Sequence, residues 1–277
     1  MEFAPGNVLL CVPRGKKSLL ACGDRVSVAL TGPGQGVIDD VAARKTAFFR
    51  SVAHRTKLIA ANATQVAVVC ATSPSFSDEL VARVLVTAEH QGLKVLVVLN
   101  KSDLADMLPS ARARLAPFEQ AGYQVIVMSA KQDASPLAQA LEGEITVFVG
   151  QSGMGKSTLL NALVPDANRA TREISVFLAA GRHTTSDARL YRMEDTAIID
   201  CPGLQEFGVG HLGRNDIEAA FPEFRQHLGR CRFPDCRHDR EPGCAVHAAC
   251  ARGQIHPRRM ELFQRIVTSG LASAHSR

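Results

Sequence analysis

Eight consecutive residues, Gly150-Gln151-Ser152-Gly153-Met154-Gly155-Lys156-Ser157, fit the pattern Gly-x4-Gly-Lys-Ser. A run of this kind binds phosphate. Its glycines let successive backbone N–H groups turn inward around an anion, and a helix that opens at the lysine adds its positive N-terminal end. Lys156 is placed to reach the β- and γ-phosphates, and the Ser157 hydroxyl, followed by Thr158, to hold Mg²⁺. The flanks agree: an apolar strand pattern, Ile145–Val149, runs straight into the loop, and a helical pattern, Lys156–Leu163, runs out of it.

Other groups suit the rest of a nucleotide. Asn100-Lys101-Ser102-Asp103 ends an apolar strand pattern. The Asp103 carboxylate can accept a pair of hydrogen bonds from N1–H and the exocyclic amine of guanine, a pair that adenine does not offer. Asn100 can hold the base from its other edge, and the Lys101 stem can stack on it. Ser129-Ala130-Lys131 ends the next strand, where the backbone can meet the guanine oxygen. Asp200-Cys201-Pro202-Gly203 follows another strand, which suits a water-bridged Mg²⁺ carboxylate and an N–H that senses the γ-phosphate. Between these lies Gly181-Arg182-His183-Thr184-Thr185-Ser186, a loop able to supply a second Mg²⁺ hydroxyl. The residue after Gly203 is Leu204, which cannot orient water as a glutamine would. His183 is the candidate for that task within the chain, with a solvated or RNA-contacting loop histidine as the alternative.

The chain has eight cysteines, four of them between Cys231 and Cys250. Cys231-x4-Cys236-x-His238-x5-Cys244 is a closed Cys3His set suited to tetrahedral Zn²⁺, with no open position for hydrolytic chemistry. His247 and Cys250 also lie near, so spacing alone does not force the choice of ligands. Arg225, Arg230, Arg232, Arg237, Arg240, Arg252, Arg258 and Arg259 surround the cluster and read as a phosphate-contacting surface.

The elements that must carry these groups follow from pattern. Strands Val66–Thr72, Lys94–Leu99, Gln124–Ser129 and Ile145–Val149 alternate with helices Asp78–Gln91, Ser110–Ala121, Ser135–Leu141 and Lys156–Leu163, which predicts a parallel sheet covered on both faces. Ala188–Met193 and Thr196–Asp200 complete it. Before residue 60, short apolar pieces (Val8–Val12, Ser18–Leu20, Val26–Leu30) separated by turn signals predict a small antiparallel barrel. The 277 residues are 46% hydrophobic and 21% charged, which excludes a mostly disordered chain, and 32 basic against 27 acidic residues give only +5. Every apolar run is too short to span a membrane. Met1 to Leu10 has no secretory pattern, so a cytoplasmic location with reduced cysteines is expected.

The motif order is base, base, phosphate loop, switch threonine, Asp-x-x-Gly. Ordinary GTPases begin with the phosphate loop, so this order is circularly permuted. With Gly23-Asp24-Arg25-Val26, Ala60-Ala61-Asn62, Glu206-Phe207-Gly208 and the Cys/His cluster, it resembles one family, the bacterial small-subunit-dependent GTPases of the RsgA/YjeQ group. The resemblance implies a multidomain α/β protein: an N-terminal OB-type β-barrel that binds RNA (1–60), a central circularly permuted P-loop GTPase domain (61–215) and a C-terminal zinc-binding α-helical domain (216–277). It implies GTP/GDP, Mg²⁺ and one structural Zn²⁺ as ligands. Its partners would be the 30S subunit and 16S rRNA, engaged by a monomer with no DNA or membrane role. GTP hydrolysis stimulated by the 30S subunit late in maturation follows from it. The alternative is an RNA-binding nucleotide switch with negligible hydrolysis. By the same resemblance Thr185 matches the switch Mg²⁺ threonine, His183 the proposed catalytic histidine beside Lys156, and Cys231, Cys236, His238 and Cys244 the zinc ligands. Three departures stand out: a shorter N-terminal region, Asn62-Ala63-Thr64 in place of Asn-Val-Asp, and Ser186 in place of a third threonine.

Overall fold

The computed structural model describes residues 2–4, 7–14, 20–52, 55–164, 188–201 and 206–274. Seven short strands come first. β1 (Glu2–Ala4) pairs antiparallel with β2 (Asn7–Val8). β3 (Leu10–Pro13), β4 (Val26–Gly32) and β5 (Gln35–Val41) form a sheet of order β3-β5-β4. There β4 runs antiparallel to β5, whereas β3 runs parallel to it. β6 (Ala47–Val52) and β7 (Arg55–Ala61) make a hairpin. These strands thus lie in three small sheets, one of them containing a parallel pair, where the sequence pattern suggests a single antiparallel barrel.

The chain then builds a six-stranded sheet: β8 (Gln65–Ala71), β9 (Lys94–Asn100), β10 (Gln124–Val127), β11 (Ile145–Val149), β12 (Arg189–Met193) and β13 (Thr196–Asp200). The order is β10-β9-β8-β11-β13-β12, with every neighbour parallel except β12, which is antiparallel to β13. All seven residues of β8 are buried. Its unbroken apolar run belongs to a central strand covered on both faces.

The helices are α1 (Asp78–His90), α2 (Leu108–Gln120), α3 (Ser135–Leu141), α4 (Lys156–Leu163), α5 (Arg214–Ala219), α6 (Ala245–Ala251) and α7 (Pro257–Ala274). The Ser77 hydroxyl caps α1 by accepting from the Leu80 N–H at 3.2 Å, and Asp78 and Glu79 oppose the helix dipole. α1 is apolar on nearly every side because it lies between β8 and β9 on one flank and α5 and α7 on the other. α2 begins two residues before the expected Ser110, since Pro109 is well suited to the first turn of a helix.

The C-terminal segment packs around its own aromatic cluster and is seated on α1 and α2 by ion pairs and cation–ring contacts. Phe221, Phe224 and Phe263 form a triad with ring centroids 5.0–5.4 Å apart. Arg259, 1% exposed, pairs with Glu223 at 2.5 Å. Its guanidinium lies 4.4 Å from the Phe221 ring centroid, 5.2 Å from Phe118 and 5.7 Å from Tyr123. Arg258 bonds Asp78 at 2.7 Å, and Arg225 bonds Glu89 at 2.7 Å. Among the described residues, no helix is long and apolar enough to cross a membrane.

Candidate functional site

The strand ends bring the motifs together. Asn100 closes β9, Gly150 follows β11, Asp200 closes β13 and the loop 72–77 follows β8, so all four meet at the carboxyl edge of one parallel sheet. That is where ligands bind in open α/β sheets.

The phosphate loop is shaped from inside and outside. Gly155 caps α4 with φ +89°, and a Cβ there would stand 2.4 Å from Asn100 Nδ2, so only glycine fits. The Lys156 ammonium is buried and donates to the carbonyls of Gly150 at 2.7 Å and Gln151 at 3.0 Å. Burial lowers its pKa, while Asp200 opposes that shift. The Gln151 side chain accepts from the Ser77 N–H at 2.7 Å, tying the loop to the start of α1. Met154 is buried beneath the loop, while Ser152, Gly153, Ser157 and Thr158 are exposed along it.

The base loops are cross-linked to the phosphate loop. Asn100 Nδ2 donates to the Met154 carbonyl at 3.1 Å, and its Oδ1 accepts from the Ala130 N–H at 3.0 Å. Asn100 therefore frames the site and spans three motifs at once. Lys101, at φ +62°, stretches across to donate to the carbonyls of Ser73 and Gly153, both at 2.7 Å. The buried Ser129 donates its hydroxyl to Asp103 at 2.6 Å. That bond, helped by Lys131 and Lys101, holds the Asp103 carboxyl below its usual range and leaves it an ionised acceptor at the cleft.

At the phosphate end, burial raises the pKa of Asp200, and Lys156 and then Arg189 counter it. The Asp200 carboxylate and the exposed Ser157 hydroxyl are hard oxygen donors of the kind Mg²⁺ selects. His183, Thr185, Gly203 and the Leu204 position lie outside the described residues.

The second cluster brings together the four residues expected to bind zinc. One ligand atom from each of Cys231, Cys236, His238 and Cys244 lies within 4.8 Å of the others. His238 Nδ1 is 3.6 Å from Cys231 Sγ, 3.6 Å from Cys236 Sγ and 3.3 Å from Cys244 Sγ. Zn–S of about 2.3 Å and Zn–N of about 2.0–2.1 Å in a tetrahedron put N and S about 3.6 Å apart, so the set fits Zn²⁺. His238 Nε2 faces Glu218 Oε2 at 3.9 Å, an orienting contact behind the ligand nitrogen. Two thiols accept from the start of α6: Cys231 from the Ala245 N–H at 3.3 Å and Cys244 from the His247 N–H at 3.4 Å.

The arginines around this cluster divide. Arg225, Arg258 and Arg259 are committed to the ion pairs that seat the segment, so they are not part of a free basic surface. Arg230, Arg232, Arg237, Arg240 and Arg252 are exposed. Arg232 lies 5.5 Å over the ring of Phe233, itself 39% exposed.

The Glu206-Phe207-Gly208 stretch is tied to the N-terminal strands. Gly208 pairs with Ser51 of β6 through two backbone bonds, at 2.8 and 2.9 Å. Phe207 packs on Phe48 at 5.7 Å, and His211 Nδ1 meets the Ser51 hydroxyl at 3.0 Å. The segment after Asp-x-x-Gly is thus docked on the N-terminal hairpin.

Comparison with known proteins agrees with this geometry. The RsgA GTPase family profile matches residues 41–210. The chain is 51% identical over 267 residues to the small ribosomal subunit biogenesis GTPase RsgA of Burkholderia pseudomallei strain K96243, covering 95% of this chain and 85% of that one. It is 49% identical over 270 residues to the RsgA of Nitrosospira multiformis, covering 97% and 86%. Among solved structures, YjeQ from Thermotoga maritima superposes with a TM-score of 0.73 at 30% identity, covering 95% of this chain and 90% of that one. YloQ, described as a circularly permuted GTPase, superposes with a TM-score of 0.69 at 24% identity (95% and 86% covered), a likeness of fold.

Proposed function

The chain belongs to the RsgA GTPase family, and from that premise we propose that it hydrolyses GTP as a late-stage factor in 30S subunit maturation, with hydrolysis stimulated by the 30S subunit. The observation that carries this reading is the convergence of Gly150–Thr158, Asn100–Asp103, Ser129–Ala130 and Asp200 on one sheet edge. Asp103 supplies the guanine-selective carboxylate. Lys156 leaves its loop carbonyls to meet the β- and γ-phosphates, exchanging two neutral acceptors for anionic ones. Ser157 and Thr185 would hold Mg²⁺, Asp200 would hold one of its waters, and the ion would neutralise charge across the phosphates. The Gly203 N–H senses the γ-phosphate, and His183 orients the water in a chain with Leu204 where glutamine would stand.

In the same reading residues 1–60 form an OB-type RNA-binding domain, 61–215 the GTPase domain and 216–277 a zinc-binding domain, in a cytoplasmic monomer. Zn²⁺ on Cys231, Cys236, His238 and Cys244 would add folding energy to the loop that carries them, beside the apolar and ion-pair contacts of the rest of the segment. The exposed arginines beside Phe233 suit 16S rRNA: cations for phosphates and a ring for an unpaired base.

The test is phosphate release with and without 30S subunits. Acceleration by the subunit, lost in His183→Ala, is the expected result; no acceleration overturns the assembly role. Metal analysis should find one Zn²⁺ per chain, and close to none in Cys236→Ala.

A further inference from the structure

The carboxylate of Asp200 has a neighbour that none of the motifs contains. β12 is the edge strand of the large sheet, and its Arg189 stands directly opposite Asp200 in the antiparallel ladder. Residues directly opposite in such a ladder project to the same face with Cβ atoms roughly 5 Å apart. Asp200 stands opposite Phe148 of β11, two residues before Gly150, so the pair lies at the phosphate-loop end of the sheet. Two cations, Lys156 of α4 and Arg189 of the sheet edge, counter the effect of burial on the Asp200 carboxyl. Arg189 is half-buried and makes no ion pair within 4.0 Å among the described residues, so it acts on Asp200 at longer range.

We propose that Arg189 tunes the affinity of the site for the divalent cation: a fixed positive charge, across the ladder from Asp200, that weakens Mg²⁺ there. This rests on the reading that Asp200 carries a water of that ion. A bound Mg²⁺ would meet a carboxylate already in the field of the Arg189 charge. When Mg²⁺ leaves, Lys156 and Arg189 remain to compensate the charge. Both effects lower the cost of losing the ion, and so favour release of the nucleotide that the ion anchors.

The test uses the full chain loaded with fluorescent N-methylanthraniloyl-GDP, following its release over a series of Mg²⁺ concentrations. Two like charges, one of them double, roughly 8 Å apart in a wet site interact enough to move the Mg²⁺ midpoint about fivefold. Arg189→Met should lower the midpoint by that factor, and Arg189→Lys should stay within about twofold of wild type, the difference shrinking in about 1 M salt. Asp200→Asn should raise the midpoint more than about tenfold. If Asp200→Asn shifts it while Arg189→Met does not, the role of Arg189 falls and the Mg²⁺ assignment stands. If Met and Lys at position 189 behave alike, charge is not the agent and the inference is overturned. If Asp200→Asn shifts nothing, the assignment and the inference fall together.

Discussion

Asn100 offers the sharpest test of how the nucleotide site is held. Its side chain is 1% exposed and makes two bonds, Nδ2 to the Met154 carbonyl at 3.1 Å and the Ala130 N–H to Oδ1 at 3.0 Å. Asn100→Ala leaves both backbone groups without a partner. Each unsatisfied buried group costs about 1–3 kcal/mol, and Ala130 is partly open to water, so the sum is about 2–4 kcal/mol. For a chain of this size that lowers the melting temperature of the nucleotide-free protein by about 5–10 °C. The same loosening, carried into binding, weakens GDP by about 30- to 1,000-fold. The two readouts separate two roles. A residue that only touches the base would weaken GDP and leave the free protein's melting unchanged. A residue that ties three loops must do both, and a nucleotide-free Asn100→Ala protein melting within about 1 °C of wild type would refute the reasoning. Asn100→Asp adds a check: it keeps the acceptor for Ala130 but sets a carboxylate oxygen against the Met154 carbonyl, so it should bind GDP no better than Asn100→Ala.

Arg259→Met strands Glu223, whose side chain is 7% exposed, and should cost about 3–5 kcal/mol in urea denaturation. Adding Glu223→Gln should recover most of that, and a single-variant cost below about 1 kcal/mol would remove the pair from the docking of the C-terminal segment. Gly208→Val puts a Cβ 2.6 Å from the Ser51 carbonyl, so amide exchange at Ser51 and Gly208 should accelerate at least about tenfold through loss of roughly 2 kcal/mol of pairing; unchanged protection would show that the bridge does not form. His211 is pushed below the ordinary histidine range by burial and then by His90. A group with a lowered folded pKa stabilises fully above its unfolded value, about 6.5, and loses that contribution as pH falls through the folded one. The stability margin of wild type over His211→Gln should therefore narrow as pH drops from about 7.5 to about 5, whereas a margin that widens reverses the sign of the argument.

The phosphate loop was legible because its chemistry fixes spacing: glycines where N–H groups crowd an anion, a lysine where a helix opens. The Cys3His set was legible for the same reason. The large sheet was legible because buried parallel strands are unbroken apolar runs, as β8 is. β5, β6 and β7 left little trace. They sit in small sheets with polar residues such as Asp39, Asp40, Arg50 and Lys57 in their midst, which cut the apolar stretches to three or four residues, as in Ala47–Phe49 and Leu58–Ala61. Arginine misleads for a related reason. Sequence shows a charge but not its partner, and Glu223, Asp78 and Glu89, which absorb Arg259, Arg258 and Arg225, lie far away along the chain. The framing role of Asn100 was also hidden, because its motif speaks for the base and not for Met154.

The permuted order has a mechanical consequence that the ordinary order lacks. Here the strand that ends in Asp200 is followed, within a few residues, by Phe207 and Gly208, which are fastened to β6. The hairpin partner β7 in turn ends at Ala61, whose N–H bonds Cys22, and at Asn62, whose side chain bonds Gly23 and Lys45. From there the chain enters β8 and its loop over the phosphate site. The hairpin is thus gripped from both sides by segments that begin or end at nucleotide motifs. A change at Asp200 that pulls on Gly208 must either break two backbone bonds or move β6, and moving β6 moves β7 and the joint at Asn62. An unfastened segment would absorb such a change in its own backbone. Fastened, it would pass the change to the N-terminal sheets, and the Ser51–Gly208 bridge would then be the place where nucleotide state and the N-terminal region can be uncoupled.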